Sequence, residues 1–529
     1  MDERHDVDVV VLGSGSGGLS AAAYLAHAGR RVLVVEARDA LGGHLSAFTH
    51  SGYEFDIGLH YTSEALVQPV LRPLGVEVEF RDFDHDGMFR LHGPGRELAV
   101  PRGMEMFRSR LHGSFPGETG TVDTFLATAQ TLVEELRTLP ERPHLRELPQ
   151  LPWRLRGLLR HATSTAGGYL DSLHASPSLK SALLSWTSGS MAVAPSRLSL
   201  PMAAMVVTNY LDGLSYPQGG SRAISEGLAD VVRHHGGEIL LGTEVDRILV
   251  DRGRVRGVQV RGASLDAGPE PLRDILAPAV VSAVDVKQTY LGLLPPDAVP
   301  SRLLHRVRGY EMALPLAVVY LVLDRDLANE GYPNSTYLVS GTEDLDHDYA
   351  ALRSGGYPDT IGVGVWVANL ADPHNARLCP PGQTNLQLMG PVPAQHSWWG
   401  IAPGSGPTER YRARRREVRD HMVRAAEHVV PGLSASIVHE EVATPVTSER
   451  FMRVTDGTSY GPAFTPRQTW TRLGAASPVE GLFHAGASVR PSHGVTGTLM
   501  GGVAAAAAVT GMPAAELQSS TPAAETVPG

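Results

Sequence analysis

Val7-Asp8-Val9-Val10-Val11-Leu12-Gly13-Ser14-Gly15-Ser16-Gly17-Gly18-Leu19 is a β-branched and aliphatic run that breaks into glycines and resumes as small residues. An almost uninterrupted apolar run reads as a strand buried on both faces of a parallel sheet. Gly13, Gly15 and Gly18 give the spacing G-x-G-x-x-G between that strand and a helix predicted over Leu19 to Ala28. In this context the first glycine makes the tight turn, the second lets backbone approach a pyrophosphate, and the third lets helix and strand pack closely. The free N–H groups and positive dipole end of the helix then face an anion, with Ser14 inside the loop.

Working outward, Arg31 to Glu36 reads as the second strand of a βαβ unit, and Glu36 ends it where a ribose-binding carboxylate is expected. A second α/β block follows at Ser221 to Val260, with a helix, the strand Glu238 to Leu241, and a hairpin of Val245 to Val250 and Val255 to Val260. Residues 76 to 214 are mostly helical in pattern, with proline-marked loops at Leu139 to Pro152. Residues 300 to 445 mix strands at Leu316 to Leu323 and Thr360 to Ala368 with a charged helix from Glu409 to Val429. The fold class expected is α/β, a Rossmann-type domain assembled from discontinuous segments with an α+β substrate domain. Residues 1–75, 215–299 and 446–511 are assigned to the first, 76–214 and 300–445 to the second, and 512–529, rich in Ala, Ser, Thr, Pro and Glu, to a disordered tail.

A chain of 529 residues is too long for one ordinary core. With 46 Lys+Arg against 56 Asp+Glu the net charge is −10, which argues against a general nucleic-acid binder. The single cysteine, Cys379, excludes an intramolecular disulfide and multi-cysteine metal sites. The charged start, without a secretory-signal pattern, and the lack of a membrane-spanning apolar run lead us to expect a cytoplasmic protein. Trp153-Arg154-Leu155-Arg156-Gly157-Leu158-Leu159-Arg160-His161 interleaves basic and apolar residues and offers a peripheral membrane contact. His60, the run Asp82 to Asp86 and the pair His234-His235 invite a metal reading, but no metal site is expected from them.

Glu36-Ala37-Arg38-Asp39-Ala40-Leu41-Gly42-Gly43 resembles the signature that follows the first βαβ unit in the flavin amine oxidase and phytoene desaturase superfamily, although His44 stands where arginine is frequent. Tyr53-Glu54-Phe55-Asp56-Ile57-Gly58-Leu59-His60-Tyr61 resembles the segment beside the flavin ring, and its G-x-H-Y ending is similar to carotenoid isomerases and retinol saturases. Tyr216-Pro217-Gln218-Gly219-Gly220, followed by the Val245 strand, resembles the return of the chain to the FAD domain. Gly481 to Gly486, then Pro491 and Gly494-Val495-Thr496-Gly497 with an alanine-rich helix, resembles the C-terminal flavin motif.

The resemblance implies FAD held by Gly13, Ser14, Gly15, Gly18, Glu36, Arg38, Gly42, Gly43, His44, Gly58, Val245, Gly486, Gly494, Val495 and Gly497. It implies hydride chemistry at a carbon–carbon double bond of an apolar polyene or polyene-derived metabolite: desaturation, saturation, isomerisation or reductive cyclisation. His60 and Tyr61 are the candidate catalytic residues beside the ring. No second G-x-G-x-x-G follows a strand, so NAD(P)H, a quinone or oxygen is expected to meet the flavin directly. The alternatives are an amine oxidase, against which Ser488-Val489-Arg490-Pro491-Ser492-His493 lacks paired aromatics, and a prenyl-protein binder without working flavin.

Overall fold

The computed structural model describes residues 6–138, 151–262, 271–402 and 404–519. Val9–Leu12 is fully buried and forms the centre of a five-stranded parallel sheet. Its strand order is Leu482–His484, Ala279–Ser282, Val9–Leu12, Val32–Val35, Glu238–Leu240, so the beginning, middle and end of the chain contribute. The glycine loop leads from the first strand into the helix Ser16–His27, whose apolar, mostly small side chains are buried on every face.

That burial has a physical cause. The alanine-rich helix Gly494–Thr510 lies against the glycine-loop helix closely enough that a Cβ on Gly502 would stand 2.5 Å from the Gly17 carbonyl oxygen, and one on Gly17 would stand 3.2 Å from the Thr498 carbonyl oxygen. Ser20 Oγ donates to the Leu499 carbonyl at 2.8 Å across the same contact. Small residues let the two backbones approach, and dispersion between them replaces the side-chain interlocking of a wider helix pair.

The second half is built on a seven-stranded sheet in the order Ile437–Ala443, Leu316–Leu323, Thr384–Pro391, Val363–Val367, Thr336–Val339, Phe89–Gly93, Arg96–Val100. Its pairs are antiparallel except that Thr336–Val339 runs parallel to Phe89–Gly93. Along one strand Val363, Val365 and Val367 face the helix Glu409–Ala426 through Val418, Met422 and Ala426, while Trp366 points to the other face, as the two-residue strand period requires. That other face looks onto the helices Pro177–Met191 and Leu200–Leu211.

Three expectations change. Phe89–Gly93 and Arg96–Val100 form a hairpin inside the region read as mostly helical, because buried and exposed residues alternate across the Gly93-Pro94-Gly95 turn. The strand read as Thr360 to Ala368 is confined to Val363–Val367. The tail read as disordered from Met512 instead begins with the helix Ala514–Ser519, where Leu517 is buried and Gln518 Nε2 donates to the Pro69 carbonyl at 3.1 Å. The loop read at Leu139 to Pro152 falls largely outside the described residues, as do positions 520–529. The hairpin Thr243–Asp251 and Arg254–Gly262 forms as read, within a separate three-stranded antiparallel sheet that also contains Arg273–Leu276. No helix among the described residues is long and apolar enough to cross a membrane.

Candidate active site

At the glycine loop, Gly13 has φ +89°, and a Cβ on Gly18 would collide with the Gly13 carbonyl oxygen, so neither position tolerates a side chain. A Cβ on Gly15 would meet nothing within 4 Å, which leaves open space beside the backbone at the helix start. No side chain caps that helix and no acid lies in its first turn. The alanine-rich helix likewise begins without a side-chain cap or first-turn acid, at Gly494-Val495-Thr496-Gly497. Two uncompensated helix N-termini therefore join this region, joined directly by Ser16 Oγ and Thr498 Oγ1 at 2.6 Å.

Glu36 is buried and accepts from Ser14 N at 2.8 Å, Ser14 Oγ at 2.7 Å and Arg38 N at 2.9 Å. Ser14 Oγ also accepts from Gly42 N at 3.3 Å, so serine and glutamate tie the glycine loop to the Gly42-Gly43 turn. Gly42 and Gly43 both have positive φ. The Arg38 guanidinium donates to Ser46 Oγ at 3.1 Å beside that turn. His44 does not supply the positive charge of an arginine: burial, reinforced by Arg38, pushes its imidazole down to about 4 and leaves it neutral, packed on Gly58. Val245 lies in the hairpin strand at a register irregularity and packs against the core behind the first two strands of the parallel sheet.

Asp56 joins two segments singled out in the sequence. It accepts from Ser221 Oγ at 2.5 Å and Ser221 N at 3.2 Å, and from the Tyr216 hydroxyl. Burial lifts its carboxyl to about 7 against the pull of Ser221.

The G-x-H-Y ending leads into the interior. His60 Nε2 lies 2.9 Å from Gln387 Oε1, and its ring stands edge-on to Trp366; Gln387 and Trp366 are cross-strand partners on the seven-stranded sheet. Burial pushes His60 down to about 4, so it is an uncharged hydrogen-bonding group at neutral pH. The Ser190 hydroxyl donates to the Trp186 carbonyl at 2.8 Å, which leaves its oxygen to accept from the Tyr61 hydroxyl at 3.2 Å. Burial, with Tyr210 and Tyr460 nearby, holds the Tyr61 phenol well above its usual range and therefore protonated.

Residues that sequence reasoning missed complete this end. His493, immediately before the alanine-rich helix, donates from Nε2 to the Ser190 carbonyl at 3.1 Å, and its ring packs 4.6 Å from that of Tyr460. Burial, with Arg472 adding to it, drives His493 down to about 3. Its Nδ1, like Gln387 Nε2, is a buried polar atom without a hydrogen-bond partner among the described residues. Arg472 is buried and donates to the carbonyls of Val489, Pro462 and Ala487, holding the loop that carries Gly486 to Pro491.

From Tyr61, Ser190 and Tyr460 a cavity runs outward between the seven-stranded sheet and the helix Pro177–Met191. The helix supplies Ser178, Ser181, Ala182, Ser185, Trp186, Gly189 and Ser190, a single face at helical spacing. The sheet supplies Leu91, Leu316, Leu338, Gly364 and Met389 opposite. Ser178 and Ser190 stand 12 residues apart, so the helix wall is roughly 18 Å long.

These features fit FAD: open space at a glycine-lined helix start, a buried carboxylate, a second uncapped helix N-terminus and orphaned polar atoms on His493 and Gln387. The comparisons agree. The family described as flavin containing amine oxidoreductase matches residues 16–387. The all-trans-retinol 13,14-reductase of Danio rerio is 25% identical over 516 residues, covering 91% of this chain and 82% of the relative. The chloroplastic prolycopene isomerase of Arabidopsis thaliana is 25% identical over 523 residues, covering 94% and 81%. Among solved structures, wild-type putrescine oxidase bound to putrescine has a TM-score of 0.64 at 15% identity, covering 96% of this chain and 99% of that one. Cyclohexylamine oxidase from Brevibacterium oxydans has a TM-score of 0.63 at 16% identity, covering 97% and 99%. The matched family spans most of the chain, so this protein belongs to the flavin containing amine oxidoreductases and is an FAD-dependent oxidoreductase.

Proposed function

We propose that the chain acts on a carbon–carbon double bond of an extended apolar polyene or polyene-derived molecule. The observation that carries this reading is the cavity, whose long walls are mainly apolar or small, with Arg96, Glu343 and Asp348 as their basic and acidic members, and whose inner end meets Tyr61 and Tyr460. A rod-like apolar chain fills such a space with few polar anchors, and the related reductase and isomerase are named for polyene substrates.

In this reading Glu36 would hold the ribose, and Gly13, Ser14, Gly15 and Gly18, with Arg38, Gly42, Gly43 and the neutral His44, would hold the diphosphate. The Val245 backbone would hold the adenine. Gly58, Gly486, Gly494, Val495 and Gly497 would hold the ring, and the N-terminus of the alanine-rich helix would favour negative charge there. When bound, the flavin supplies a hydride donor or acceptor at N5. His60 and Tyr61 act as neutral groups: Gln387 fixes the His60 ring, and Tyr61 orients and confines the substrate from a hydroxyl already given to Ser190. Trp366, Trp186 and Tyr460 exclude water from that end. NAD(P)H, a quinone or oxygen would serve as the redox partner, and Trp153 and Leu159, both strongly exposed beside arginines, would offer contact with a membrane surface.

The test is anaerobic. Oxidised and reduced protein are mixed separately with a panel of polyenes while flavin absorbance is followed and products are weighed by mass spectrometry. Product lighter by two hydrogens marks desaturation, heavier by two marks saturation, and unchanged mass with altered retention marks isomerisation or cyclisation. Bleaching by an amine, with no response to any polyene, would replace this reading with an amine oxidase.

A further inference from the structure

Away from the flavin region, His50, His439 and Glu441 bring one ligand atom each within 4.8 Å of one another. We propose that these three side chains bind a divalent transition-metal ion, zinc above all, and clasp the flavin-side hairpin to the edge of the seven-stranded sheet.

The geometry supports the chemistry. Zinc held at ordinary nitrogen and oxygen distances places neighbouring ligand atoms of a tetrahedron about 3.3 Å apart. His50 Nδ1 lies 3.4 Å from His439 Nε2 and 3.0 Å from Glu441 Oε1. Two imidazoles and one carboxylate leave a fourth position for water, and the set suits zinc better than calcium or magnesium, which favour oxygen. His439 and Glu441 are two apart on the edge strand Ile437–Ala443 and so point to the same side of it. His50 ends the strand Ala47–His50 just before the tight Ser51-Gly52 turn, where both residues have positive φ.

The surroundings hold the ligands in place. The His439 ring stacks on Phe55 and lies 5.1 Å from Tyr53, fixing its plane. Arg415 lies 3.6 Å from Glu441 Oε2, which leaves Oε1 turned toward the histidines. Outer partners of this kind orient ligands in metal sites. The hairpin Ala47–Asp56 leads directly into Gly58 to Tyr61, so the ion would stiffen the joint between the flavin-side segment and the substrate sheet. His50 lies almost four hundred residues from the other two in sequence, which is why no spacing motif reveals the set.

The experiment uses the FAD-loaded chain, stripped with chelator and titrated with zinc chloride in a calorimeter, with thermal unfolding measured alongside. The expected result is one zinc per chain and a higher Tm that chelator reverses. His50→Ala, at an exposed position that does not hold the core, loses both; Glu441→Gln weakens both. No zinc uptake by the wild type, or uptake and Tm gain undiminished in His50→Ala, overturns the proposal. In the second case the ion lies elsewhere, for example at His234 and His235, whose rings also adjoin.

Discussion

Gly15 and Glu36 carry the cofactor argument in different ways. Gly15 has ordinary extended backbone and open space beside it, so Gly15→Val folds but fills the room a pyrophosphate needs. We expect the purified variant to be folded by circular dichroism and colourless; normal flavin content would refute the site. Glu36→Gln keeps the shape but weakens the acceptor that serves Ser14 and Arg38, and it should cost roughly 1–3 kcal/mol of FAD affinity, read by fluorescence titration. His60 is already neutral across the neutral pH range. His60→Gln should therefore lower the rate without changing the shape of the pH–rate profile, whereas loss of an ionisation in the variant would show that His60 titrates during turnover.

At the scale of elements, the contact between the glycine-loop and alanine-rich helices leaves no room at Gly502. Gly502→Val drives a side chain into the Gly17 carbonyl and the Ser20 Cβ and should destabilise by about 1–3 kcal/mol, seen as a lower Tm. Asp56 ties the flavin-side hairpin to the segment Tyr216 to Ser221, and the folded protein keeps its proton up to about pH 7, whereas an unfolded chain releases it near about pH 4. The stability this group contributes is complete below about pH 4 and is lost as pH rises through 7. Asp56→Asn should thus show a smaller fall in Tm between mildly acidic and neutral buffer. These elements were legible to different degrees. Val9–Leu12, the glycine turn and Glu36 could be read because the strand, turn and helix signals are contiguous. The hairpin Phe89–Val100 was hidden because its alternation is short and lies among helices, and its partner strand is Thr336–Val339, far along the chain. Ser190, Gln387, Tyr460 and His493 escaped because each is an ordinary residue locally and acquires meaning only where the sheet, the helix Pro177–Met191 and the alanine-rich helix meet.

Across the whole molecule, the parallel sheet carries the glycine loop proposed to hold the cofactor, and the seven-stranded sheet with its covering helix forms a long, mainly apolar space ending beside the G-x-H-Y segment. Gly189 lies on the wall of that space, and a Cβ there would meet nothing within 4 Å, so a large side chain can project into the cavity without disturbing the flavin region. The decisive measurement is the flavin difference spectrum when a linear polyene is titrated into FAD-loaded wild type and into Gly189→Phe at equal flavin content. A saturable perturbation is expected in the wild type and its loss in the variant; an equal perturbation in both would place the substrate elsewhere.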